Sequence, residues 1–218
     1  MVRTRCVYIM VSRTDTRIAR MIRAATHFPY NHISVTLDPT FSRWYSFARY
    51  HRDAPLYGGF VEESPERLLG EQKDAPVRIF RTEIPECAAA DLEALLPLAG
   101  CPDSGLIYNH LDILACAVGL RVPVPGCHTC LSFAEYILNR EFHSIEKLCQ
   151  VLAPCQIYEG PLSGLDHSPA GEEDAYFVPM GWMRGSGLSA ALLCRLLYRT
   201  LCHGFECYKA HFFRKTAL

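Results

Sequence analysis

No stretch of this chain approaches the roughly 20 consecutive apolar residues that span a bilayer, and no segment is repeated or low in complexity. A helical membrane bundle and a solenoid are thereby set aside. Charge of one sign is also missing: 22 Lys and Arg stand against 23 Asp and Glu, for a net charge of −1. Binding to nucleic acid needs a basic face, so no nucleic-acid partner is expected. No export signal is expected either. The apolar run of residues 6–12 is cut off by Arg13 and no small-residue cleavage site follows. The expected location is cytoplasmic.

What is there is a globular composition, 50% apolar and 21% charged over 218 residues, enough for one domain of ordinary size with an appendage. Cysteine is abundant and odd in number, with eleven residues. Without export, a reducing interior and free thiols are expected rather than a disulfide framework. Several of these cysteines sit in apolar periodic segments, where they act as small hydrophobes.

The pattern along the chain predicts a strand over 6–12 and a helix over 16–26 capped by Thr14-Asp15-Thr16. A strict alternation over 31–37 places Ile33, Val35 and Leu37 on one face and His32, Ser34 and Thr36 on the other. Asp38-Pro39-Thr40 turns the chain into a returning strand over 43–47, giving a hairpin. Further strands are expected at 58–62, 77–84 and 156–160, and helices at 86–99, 108–119, 131–140, 144–150 and 187–204. Residues 161–178, rich in Gly, Ser, Pro and acid, read as a linker or long loop. The order predicts an α+β fold, an antiparallel sheet with helices packed against it.

Thiol catalysis needs a thiolate, a base, and donors for a developing oxyanion. A cysteine at a helix amino terminus receives help from the helix dipole and from free backbone N–H groups. Cys130 occupies such a place, since Pro123, Pro125 and Gly126 prevent an earlier start and Leu131, Phe133, Ala134, Ile137 and Leu138 form an apolar stripe. Of the nine histidines, His32 is the best placed by pattern, at the start of an alternating strand.

The segments Tyr30 to Asp38, Trp44 to Phe47, Gly58 to Glu62 and Thr129 to Ala134 resemble the permuted NlpC-type, papain-like cysteine hydrolases of the YiiX/YebB-like group. The His32-x-Ser34-x-x-Leu37-Asp38 strand and the Cys130-x-x-Phe133-Ala134 helix start carry the resemblance, which covers roughly residues 4–162. It implies a circularly permuted papain-like fold over 1–162, in which the histidine precedes the cysteine, followed by a helical C-terminal extension over 163–218. It further implies a cysteine amidase, peptidase or acyl-ester hydrolase or acyltransferase, without cofactor, acting on an amide- or ester-containing peptide or lipid. Cys130 would be the nucleophile, His32 the base and Ser46 the group that orients the base, with Glu62 as the second candidate for that role. A catalytically silent binding module on the same fold is the alternative.

Two other patterns compete. Cys127-His128-Thr129-Cys130 is a C-x-x-C sequence, but the nearest second ligand pair, Cys202-His203 with Cys207 and His211, matches no zinc module, and the redox reading lacks a βαβ unit. Residues 184–218 carry Arg184, Arg195, Arg199, Lys209, Arg214 and Lys215 against Glu206, with several aromatics. That tail would suit peripheral contact with a membrane, or would bury its leucine stripe on the body.

Overall fold

A computed structural model describes residues 3–69, 72–116, 120–165 and 174–216. The chain opens with strand β1 (Thr4–Ser12) and helix α1 (Arg17–Thr26), followed by β2 (His32–Thr36), β3 (Trp44–Arg49) and β4 (Gly58–Glu63). A short α2 (Pro65–Leu69) leads to β5 (Pro76–Pro85) and α3 (Glu86–Leu95). Then come β6 (Ile107–Tyr108), α4 (His110–Cys116), β7 (Cys127–His128), α5 (Cys130–Leu138), α6 (Ile145–Leu152) and β8 (Gln156–Pro161). Helix α7 (Trp182–Thr216) closes the chain.

The eight strands form one mixed sheet in the order β7-β6-β4-β3-β2-β1-β5-β8. Every pairing is antiparallel except β6 with β7. The α+β expectation therefore holds. β1 lies inside the sheet, with Tyr8 opposite Thr36 on one side and Ile9 opposite Phe80 on the other. Successive residues on it point to opposite faces, and both faces are covered. Val7, Ile9 and Val11 pack with Ala89 and Leu92 of α3, Phe133 and Ile137 of α5, and Leu148 of α6. Tyr8 and Met10 pack with Trp44, Leu68, Val77, Ile79 and Leu162. A strand covered on both faces reads as a continuous apolar run, which is what residues 6–12 show.

Local chemistry sets the helix limits. Thr16 accepts a hydrogen bond from the Ala19 amide at 3.1 Å, and His27 ends α1 in the left-handed region at φ 53°. The helix expected over 86–99 stops at Leu95 and tightens into a 3₁₀ turn over 96–98, where Pro97 has no N–H to continue the ladder. Residues 107 and 108 are strand rather than helix, so α4 starts later than the apolar pattern predicts. A two-residue strand carries no periodicity, and β6 and β7 had none to show.

The tail helix is longer than its leucine pattern. Leu192 and Leu196 are buried with Val61, Ile107, Val124 and Cys127, while Leu197 and Leu201 face outward. Arg199 donates from Nη1 to the Gly105 carbonyl at 2.5 Å. Residues 166–173 of the expected linker lie outside the described residues. The stretch after them is bonded to the body: Arg52 N–H donates to the Tyr176 carbonyl at 3.2 Å, and Ser64 Oγ donates to Asp174 Oδ2 at 2.9 Å. Contacts thus cross residue 162 freely. Among the described residues, no helix is long and apolar enough to cross a membrane.

Candidate active site

His32 opens β2, and the next polar residue on its face is Ser34. Antiparallel pairing carries the chain through β3 to β4, where Glu63 sits opposite Trp44. Its carboxylate reaches both β2 residues. His32 Nε2 lies 2.8 Å from Glu63 Oε1 and 2.9 Å from Oε2, and Ser34 Oγ donates to Oε2 at 2.5 Å. The three are nearly enclosed: the imidazole side chain is 12% exposed and the carboxylate 5%. The face read as the polar side of an alternating strand is therefore interior, and its polar groups satisfy one another.

With Nε2 taken by Glu63, Nδ1 is the ring nitrogen left for the thiol of Cys130. The Cys130 sulfur is one of the groups that act on the ring. Burial, the largest influence on His32, works to lower its pKa. It is overcome by the Glu63 charge, the hydrogen bond with the Cys130 sulfur and the bond with Glu63, which together lift the ring to about 10. Burial likewise works to raise Glu63, but the His32 charge and the bonds from His32 and Ser34 hold its carboxyl below the usual value.

Cys130 is the first residue of α5, and Thr129 caps the helix. The Thr129 side chain accepts from the Ser132 amide at 3.0 Å, and Ser132 Oγ accepts from the Thr129 amide at 2.9 Å. This reciprocal box consumes the Ser132 N–H. The Cys130 and Leu131 amides, one and two residues into the helix, have neither an intrahelical acceptor nor the cap. They carry the positive end of the helix dipole at the residue that bears the thiol. α5 is held against β2 and β3, with the Phe133 ring tilted against Phe47 at 5.2 Å between ring centroids.

The two residues expected to orient the base are occupied elsewhere. Ser46 is fully buried and donates to the Ile33 carbonyl at 2.6 Å, with a second, longer contact at 3.4 Å to the Phe47 carbonyl. It spends its one proton on the backbone of the neighbouring strand. Glu62 points to the surface, where it meets Arg43 at 3.6 Å and accepts from Tyr45 Oη at 3.3 Å. The carboxylate at His32 is Glu63, one residue further on. Adjacent strand residues take opposite faces, so extending β4 by one residue beyond the Gly-Gly-Phe-Val-Glu segment moves the choice from the outside to the inside.

A cavity of about 100 Å³ opens beside this group, lined by His32, Glu63, Phe47, Arg49, Tyr108 and His110 among others. Tyr108 is a residue the sequence reading missed. Burial raises its phenol well above the ordinary value, and the Cys130 charge adds to this. His110 is held neutral: burial drives its pKa down to about 4, against a hydrogen bond from Nε2–H to the Leu56 carbonyl at 3.2 Å. Nothing in the amino-acid pattern marked Tyr108, because the two-residue strand that presents it has no periodicity.

Cys127 is a free, buried thiol. Burial raises its pKa, and Arg199 opposes that from 3.9 Å. No three His, Cys, Asp or Glu side chains cluster as metal ligands among the described residues, and the side chains of Cys207 and His211 lie outside them. The chain matches no family model, no curated protein and no solved structure.

Proposed function

We propose that the chain is a thiol-dependent hydrolase or acyltransferase acting on an amide or ester, built as a circularly permuted papain-like domain. The observation that carries this reading is the position of one imidazole. His32 lies between the buried Glu63 carboxylate and a cysteine at a capped helix start. Glu63 fixes the ring with Nδ1 toward the sulfur and favours the imidazolium, the role an orienting carboxylate plays in nucleophilic triads. The His-before-Cys order and an α5 packed on an antiparallel sheet support the permuted fold.

In the proposed reaction Cys130 and His32 act as a thiolate–imidazolium pair, with the proton on Nδ1, and the sulfur attacks the carbonyl carbon. A C–S bond forms and the carbonyl electron pair moves to oxygen, where the Cys130 and Leu131 amides can receive it. Collapse of the intermediate breaks the C–N or C–O bond, and the leaving group takes the proton from Nδ1. Water, or another nucleophile in an acyl transfer, then gives a proton to Nδ1 and attacks the thioester. The C–S bond breaks with its electron pair on sulfur, which restores the thiolate–imidazolium pair.

Turnover of an uncharged p-nitrophenyl ester, with an initial burst, tests the reading. Wild-type protein should release one equivalent of nitrophenol rapidly and carry an acyl group on Cys130 by mass spectrometry. Cys130→Ser should show neither. Acylation spread over the exposed cysteines, with no burst, would instead leave a silent binding module. The enclosure of Cys130, 7% exposed, favours that second reading. Contact with a membrane through α7 is supported by exposed Trp182, Met183, Tyr198 and Leu201 beside Arg184 and Arg195. Sedimentation with anionic vesicles at low and high salt tests it.

A further inference from the structure

We propose that the cavity beside His32 accepts a substrate group carrying an oxyanion, a carboxylate or a phosphate, and that Arg49 binds it. This rests on the thiol-hydrolase reading above and names its substrate class.

Three observations carry the inference. The first is position. Tyr45, Phe47 and Arg49 share one face of β3, and Phe47 on that face packs against Phe133 of the helix that Cys130 begins. Arg49 is the last residue of the strand and lies opposite Gly58. A Cβ on Gly58 would fall 2.7 Å from the Ala48 carbonyl and 3.1 Å from the Tyr108 Cβ, so the absence of a side chain there lets Tyr108 close on the end of β3. Arg49 and Tyr108 line the same cavity as His32.

The second is an unmatched charge. Arg67, the other guanidinium of the cavity, has Asp174 at 3.5 Å. His32 has Glu63. Among the described residues no carboxylate lies within ion-pair distance of Arg49. Its Nη2 donates to Tyr176 Oη at 2.6 Å and its Nη1 to the Arg52 carbonyl at 3.2 Å, both neutral acceptors. Once Cys130 carries an acyl group and no charge, two guanidiniums and one imidazolium face two carboxylates.

The third is preorganisation. Both guanidiniums lie against the Tyr176 ring, Arg49 at 5.6 Å and Arg67 at 4.6 Å from its centroid. Tyr176 is itself buried and tied to the body through its carbonyl. Arg49 is therefore held by one edge, and its remaining N–H groups keep the planar fork that matches a carboxylate or phosphate.

The test compares two alkylating reagents that differ by one charge. Iodoacetate and iodoacetamide both convert a thiolate to a thioether with loss of iodide. The full chain is treated with each, and rates are read at Cys130 and at the exposed Cys101 by peptide mass spectrometry. The expected result is an iodoacetate-to-iodoacetamide ratio about tenfold higher at Cys130 than at Cys101. That preference should disappear in Arg49→Gln, survive in part in Arg49→Lys, and persist in Arg52→Gln, which removes a neighbouring exposed charge. Glutarate and inorganic phosphate are then added separately. The one that protects Cys130 from iodoacetate identifies the oxyanion. Equal ratios at the two cysteines, or a preference that outlasts both Arg49 substitutions, would overturn the inference while leaving the thiol-hydrolase reading intact. A Cys130 no more reactive than Cys101 toward iodoacetamide would overturn that reading, and this inference with it.

Discussion

At the scale of single residues, the candidate site turns on which carboxylate holds His32. Replacing Glu63 with Gln keeps the size and removes the charge, so the ring loses the influence that lifts its pKa and the anchor that fixes its tautomer. Acylation by the nitrophenyl ester should fall by about 10- to 1,000-fold. Ser46→Ala should change that rate by less than about threefold, because the serine touches only backbone. Its cost should be about 1 kcal/mol of stability from a lost buried hydrogen bond. If the two variants exchanged outcomes, the ring would be positioned through β3 and not through β4.

The same pair makes stability depend on pH. The folded-state pKa of His32 lies above its ordinary 6.5, near 10. The folded form therefore holds a proton that the unfolded chain releases above pH 6.5. The stabilisation is complete below about pH 6.5, and it is lost as the pH rises toward 10. Glu63 is held below its ordinary 4.5, so its share is present above that value and fades as the pH falls further. Urea midpoints should be highest between about pH 4.5 and 6.5 and decline on the alkaline side by up to a few kcal/mol. His32→Gln should flatten the alkaline limb, and an unchanged limb would detach the ring from Glu63.

At the scale of elements, the strands were largely legible and the reason is physical. Both faces of β1 are covered, so apolar residues run without interruption. The β2–β3 hairpin has an alternating strand, a Pro-containing turn and a return. Thr16, Ser144 and Thr129 each cap a helix with a side-chain oxygen. Cys130 and His32 could be named for the same reason, since a helix start and a strand phase are local. Glu63 could not, because its role depends on where a strand ends and on a pairing that crosses two others. Thr129→Ala should cost about 1 kcal/mol and loosen the helix start that presents Cys130. Slower iodoacetamide labelling of Cys130 together with a lowered Tm would show both effects. A normal labelling rate would mean that packing through Phe133 alone positions the thiol.

At the scale of the whole molecule, α7 is part of the core. Leu196 is fully buried among residues from β4, β6 and β7. Leu196→Ala should cost about 2–5 kcal/mol, read as a shift of the urea midpoint with unchanged slope, whereas Leu201→Ala, on the exposed face, should cost less than about 0.5 kcal/mol. Ending the chain before Trp182 would uncover Val61, Ile107 and Val124 together, and light scattering should register self-association. A monomeric, stable truncation would show that the leucine stripe adds nothing to the body. The leucine spacing revealed the helix, but not the partner it lies against, since that surface is assembled from two-residue strands far away in sequence.

The order of the three site residues along the chain has a consequence for the protein as it is made. Histidine, carboxylate and cysteine lie on β2, β4 and α5 in that sequence, so a ribosome delivers the receiving half of the site first. At about 5–20 residues per second, the thiol follows its carboxylate by on the order of 3–13 s. By the end of that interval β1 to β5 have all been made, and the pairings of β1 with β2 and β5, of β2 with β3 and of β3 with β4 need no residue beyond Pro85. The cysteine thus emerges onto strands that can shelter it, with the rest of α5, then α6, β8 and the long closing helix still to be added.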